Sequence, residues 1–137
     1  MRNVVLDHMS CFVDTFVPKT HKKRWKTLLN FKKPRYQDIN PYDIWPDNDT
    51  EIKFCRILNS RFNQVLKSIP FNQYKDADVV VIPCGHDGKE PAIMSLNESL
   101  TGKYCLLEGV ISIVKGKLVI LVNHDGEACV FNNLVCK

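Results

Sequence analysis

Two strand-like runs joined by a tight turn constrain this chain more than any other feature in it. Val110–Val114 (VISIV) and Leu118–Val122 (LVILV) are apolar throughout except at Ser112, and only Lys115-Gly116-Lys117 separates them. A strand with one wet face alternates apolar and polar residues, so a strand apolar throughout must be covered on both faces. Gly116 supplies the positive φ that a short hairpin needs. Both strands are therefore expected at the centre of an antiparallel sheet. Helices should cover one face and something else the other, a partner chain being one candidate.

The flanking sequence fits such a sheet. DVVVIPC (78–84), AIMSL (92–96), KYCLLEGVISIV (103–114), KLVILV (117–122) and EACVF (127–131) read as strands separated by turn residues. Ahead of them the period changes. Val5, Met9, Phe12 and Phe16 recur at helical spacing over 3–17, and Pro18 closes that helix. Residues 20–30 form a short basic helix with Thr20 as N-cap and Trp25, Leu28 and Leu29 on its inner face. A loop with Pro34, Pro41 and Pro46 follows, pinned by Ile44 and Trp45. The clearest helical spacing covers 49–68. There Ile52, Cys55, Leu58, Phe62, Val65 and Ile69 recur every three or four residues, Asn48 or Asp49 caps the start, and Pro70 ends it. The predicted fold class is α+β, with two or three N-terminal helices packed on a five- or six-stranded antiparallel C-terminal sheet. It is expected as a single domain over 1–137, helical over 1–70 and sheet over 76–137.

A chain of 137 residues buries enough surface to fold without a metal or disulfide. No stretch approaches the roughly 20 apolar residues of a membrane span. The apolar N-terminus is interrupted by Asp7 and His8, unlike a secretory leader, so a cytoplasmic protein with no membrane partner is expected. The six cysteines contain no C-x-x-C pair, and most lie in apolar runs where a reduced thiol acts as a small hydrophobe. Their even number, with sequons at Asn48-Asp49-Thr50 and Asn97-Glu98-Ser99, keeps a secreted, disulfide-bonded alternative open.

The chemistry-bearing string is His-Asp-Gly, which occurs twice, at 86–88 and 124–126, the first just after Cys84. Asp-Gly between strands is a strong hairpin signal, so both copies are read as turns. Cys84 and His86 lie two apart on one strand, about 6.5–7 Å at the backbone, which is awkward for proton transfer. A metal site would need both turns at one end of the sheet, and the spacing leaves that open. Glu90, Glu98, Glu108 and Glu127 show no pairing suited to acid–base work. No phosphate-binding glycine loop, nucleophile elbow or H-E-x-x-H string is present, so no catalytic residue, metal or cofactor is expected.

Charge is segregated. Residues 1–40 carry a net +6 and residues 41–137 a net −2. The basic segment 19–36 holds Lys22, Lys23, Arg24, Lys26, Lys32, Lys33 and Arg35 with Trp25, Phe31 and Tyr36 between them, a composition that suits phosphates and stacked bases. The following segment, 37–51, holds five acids and no Lys or Arg, with Tyr42 and Trp45 among the acids. Rigid aromatics ringed by carboxylates make a contact surface for a basic partner. Asp38, Tyr42, Asp43, Trp45 and Asp47 are the expected contact residues. In general build the chain is similar to bacterial immunity proteins, which neutralise a toxin by masking its active site. The resemblance is one of type and carries no residue over. The expected function is a non-enzymatic protein-binding domain of that kind, facing a basic toxin or nuclease domain. The alternatives are a nucleic-acid binder using 19–36, and a small hydrolase or metal-dependent enzyme using the two His-Asp-Gly turns.

Overall fold

The computed structural model of this chain describes residues 2–44, 55–58, 71–74, 76–85, 87–101, 106–125 and 127–134. Helix α1 (Arg2–Phe16) and helix α2 (Lys19–Leu29) come first, followed by two 3₁₀ turns at Tyr36–Asp38 and Pro41–Ile44. The remaining elements are β1 (Cys55–Leu58), a short α3 (Phe71–Tyr74), β2 (Asp78–Pro83), β3 (Ala92–Ser95), α4 (Leu96–Thr101), β4 (Gly109–Val114), β5 (Leu118–Val122) and β6 (Ala128–Asn132). The six strands form one sheet in the order β1-β6-β5-β4-β2-β3, antiparallel at every step. The α+β class with N-terminal helices and an antiparallel C-terminal sheet is as the sequence indicates.

The central hairpin is where the apolar runs put it. β4 and β5 pair from Gly109↔Val122 to Val114↔Leu118, and Gly116 takes φ +70° in the turn. Their side chains feed two cores. On one face Phe12 and Phe16 of α1 and Trp25 of α2 meet Val119, Leu121 and Phe131, with Phe12 edge-on to Phe131 at 5.2 Å. Truncating a buried aromatic of this kind costs about 3–5 kcal/mol. On the other face Val79, Val81, Ile111, Ile120 and Val122 pack with Leu96 and Leu106. That second face is buried within the chain, so no partner chain is needed to cover it.

Two local expectations change, and a third falls on residues whose side chains lie outside those described. Residues 55–58 form a strand, not a helical turn: Cys55 lies opposite Phe131 and Leu58 opposite Ala128. Pairing with β6 completes the backbone hydrogen bonds of a central apolar strand, and that long-range gain outweighs a helical spacing. The rest of the expected helix 49–68 lies outside the described residues. Thr20 is not the cap of α2. Pro18 occupies that position in extended geometry, and its carbonyl accepts the N–H of His21 and of Lys22. The proline-rich loop is pinned by Ile39, only 1% exposed, and by the partly buried Tyr36. Ile44 ends the second 3₁₀ turn, and Trp45 lies outside the described residues.

The register also decides which loops share an end of the sheet. Pro83 lies opposite Gly109, Gly109 opposite Val122, and Val122 opposite Ala128. The loop after β2, the residues entering β4 and the β5–β6 loop therefore converge, while Lys115–Lys117 sits at the far end. Among the described residues no helix is long and apolar enough to cross a membrane.

Candidate functional site

Both His-Asp-Gly loops stand at this common end, and each joins a directly paired antiparallel pair, as a hairpin turn does. The first, residues 84–91, is an eight-residue connection between β2 and β3. Its organiser is Asp87, only 3% exposed. The Asp87 carboxylate accepts the backbone N–H of Lys89 at 3.1 Å and of Leu107 at 2.8 Å. It also holds the Lys89 ammonium at 2.9 and 3.1 Å. Burial alone would raise its pKa, but the bonds from Leu107 and Lys89 together hold it below the usual 3.8. The β5–β6 loop, 123–127, is organised by the fully buried Asn123. Its side-chain oxygen accepts the N–H of Asp125 at 3.0 Å and of Glu127 at 3.1 Å, and its amide donates to Glu127 Oε1 at 3.0 Å. An Asx-type turn frees the Asp125 side chain to face outward. His86 and Gly126 lie outside the described residues.

Between the loops sits Glu108, at 1% exposure. Its backbone carbonyl accepts the Cys84 N–H at 3.0 Å, which ties the end of β2 to the entry of β4. Its carboxylate lies against Gly85, where a Cβ would fall 2.1 Å from Oε1 on a backbone at φ +59°. Only glycine fits there, for space and for conformation. Glu108 Oε2 is also 3.3 Å from His124 Nδ1. A carboxylate accepts only, so with Glu108 ionised the Nδ1–H of His124 donates. The His124 ring meets that of Tyr42 edge-on at 5.3 Å between centroids. The Tyr42 hydroxyl donates a hydrogen bond to Asp125 Oδ2.

Tyr42 belongs to the second 3₁₀ turn, inside the acidic segment. Tyr42 therefore docks on the second His-Asp-Gly loop, and residues of two motifs that lie far apart in the chain meet at one surface. The Tyr42 phenol is pushed up to about 12, first by desolvation, then by the bond to Asp125 and by the charges of Asp125, Glu127 and Glu108. Asp43 stands beside it, half-buried, its N–H bonded to the Asn40 carbonyl at 2.9 Å. Asp38, in the first 3₁₀ turn, pairs with Arg35 at 2.6 Å. Trp45 and Asp47 lie outside the described residues.

Cys84 is fully buried, and burial first, with the charges of Glu108 and Asp87, pushes its thiol far up. A thiol held protonated is a poor nucleophile. Among the described residues no group of three His, Cys, Asp or Glu side chains is placed to hold a metal ion. Cys11 and Cys84 are free, whereas Cys129 is disulfide-bonded, against the expectation of a reduced thiol in its apolar run.

Cations of the basic segment line separate depressions. Trp25 is buried in the core and cannot stack a base. Lys22 donates to the Asp14 carbonyl at 3.0 Å, and Lys26 pairs with the Asp14 carboxylate at 2.5 Å. Lys22, Lys23 and Lys26 line an open depression on α2, and Arg24 lies exposed outside it. Lys32, Lys33 and Arg35 line a separate groove.

The sequence shows Glu108 without its partner His124, and it does not single out Asn123. The available cue for Glu108 was a lone acid inside the apolar run YCLLEGVISIV, since a buried charge needs a partner. No protein family matches this chain, and no curated protein or solved structure matches it.

Proposed function

We propose that this chain is a non-enzymatic protein-binding domain, an inhibitor or immunity-type protein that masks the active site of a basic toxin or enzyme partner. Its contact face centres on Tyr42, with Asp43 and Asp125 beside it. The observation that carries this reading is the bond from Tyr42 to Asp125 within the field of Glu127 and Glu108. A tyrosine fixed by a carboxylate loses little conformational freedom on binding, and the surrounding negative charge steers a cationic partner. Trp45 and Asp47 remain part of the proposed face.

The test uses a partner recovered with the native protein and then identified, with affinity measured against variants. Tyr42→Ala is expected to weaken binding about thirtyfold, in the range of an interface hot spot. Asp43→Asn and Asp125→Asn are expected to slow association and flatten its salt dependence. Equal affinity for all three folded variants overturns the reading.

The disulfide at Cys129 supports an oxidising compartment over the expected cytoplasm, because such bonds persist where thiols are not kept reduced. One observation favours a second reading, a small hydrolase. The buried Glu108 orients His124 as a carboxylate orients a general base. Under that reading His124→Ala abolishes turnover, whereas under the first it changes only affinity.

A further inference from the structure

A groove runs between residues 32–37, which follow α2, and residues 87–91, which precede β3. It comprises two adjoining cavities of about 410 and 690 Å³ that share Lys33, Pro34, Tyr36, Glu90 and Pro91. Pro34 and Pro91 give rigid apolar walls, and Tyr36 presents a ring braced against the main core. Lys32 and Lys33 stand exposed at the rim with no acidic partner among the described residues. Lys89 enters the groove already ordered by Asp87. Arg35 is committed to Asp38 and to the face of Phe31 at 5.2 Å. Glu90, the acid at the rim, is engaged in contacts of its own.

We propose that this groove is a binding site for a small organic anion with a flat apolar body, an aryl phosphate or aryl carboxylate. Each cavity lies in the range of about 300–1,000 Å³ that holds ligands of that size. Aromatic and proline walls accept a flat ring, and the exposed ammonium groups of Lys32 and Lys33 donate to the anion at its edge. A nucleic-acid strand would need a continued track of cations, but the lysines of α2 line a separate depression. Asp87 acquires a second consequence here, because it fixes a lysine at the rim as well as the loop. The site is independent of the Tyr42 face.

The test is an amide chemical-shift titration of the full chain with 1-naphthyl phosphate, 1-naphthoate and the neutral 1-naphthylmethanol. Saturable binding of either anion, with shifts at Lys32–Gln37 and Gly88–Glu90 and at least tenfold weaker binding of the alcohol, supports the site. The tighter of the two anions identifies the head group. The double variant Lys32→Ala/Lys33→Ala, at exposed positions that leave the core intact, is expected to lose about tenfold in anion affinity. Tyr36→Leu keeps the apolar contact to the core but removes the flat ring, and is expected to lose a similar factor. Absence of saturable binding, shifts confined to the lysines of α2, or anion affinity unchanged in the double lysine variant overturns the proposal.

Discussion

At the residue scale, each chemistry-bearing side chain is defined by what it touches. Asp87 looked like half of a turn signal, yet it is a buried acceptor that closes a loop across to Leu107. Removing it strands the Leu107 and Lys89 N–H groups, at about 1–3 kcal/mol for a buried donor left unpaired. Asp87→Ala is therefore expected to lower stability by about 2 kcal/mol, read as a shift in the urea midpoint at unchanged slope. A shift below a few tenths of that value would mean that the loop closes without it. Glu108 shows the limit of single-residue reading. Nothing local in Leu107-Glu108-Gly109 says which side chain will face it. The pairing with His124 exists because β4 and β5 are neighbours, which is a property of the sheet.

At the scale of elements, the central hairpin was legible because β4 and β5 are apolar on both faces, a pattern that admits few environments. The helices α1 and α2 were legible from the spacing of Val5, Met9, Phe12 and Phe16 and of Trp25 and Leu29. β1 was not, because Cys55 and Leu58 also satisfy a helical period and its partner β6 lies some 70 residues away in the chain. Amide hydrogen exchange separates the two conformations. As an edge strand, β1 is expected to protect alternate amides across Cys55–Leu58, the ones facing β6. A helix would protect consecutive amides.

The contact between α1 and β4 adds a pH dependence. His8 Nδ1 is 2.8 Å from the Oγ of the buried Ser112. Burial first, and the charge of Lys115 next, lower the His8 pKa from 6.5, against the opposing pull of Asp7. The unfolded chain therefore takes up that proton more readily than the folded one. The stabilisation is complete above about pH 6.5 and declines as the pH falls below it. Asp87 adds a loss of the same sign only below 3.8. Urea midpoints followed from pH 7.5 to 5 are expected to fall, and His8→Gln is expected to flatten that decline. An unchanged slope in the variant would remove His8 as the cause.

At the scale of the molecule, a chain that looked like a basic segment followed by a mildly acidic body distributes its charge by surface instead. Lysines of α2 line one depression and Lys32 and Lys33 line another, while acids from three separate segments gather at one end of the sheet. The sequence contained the ingredients of that acidic face, Tyr42 and Asp43 in one motif and Asp125 in another. What it lacked was the register that puts the two together. Asp38, expected beside them, is paired with Arg35.

The titration of Tyr42 tests this convergence most directly. With carbon-13-labelled tyrosine, and the Tyr42 signal assigned through Tyr42→Phe, its phenol is expected to titrate near 12 and to move back towards 10 in Asp125→Asn. A wild-type Tyr42 that titrates at the ordinary value of 10 would contradict the account, because the acidic loop and the second His-Asp-Gly loop would then not form one face.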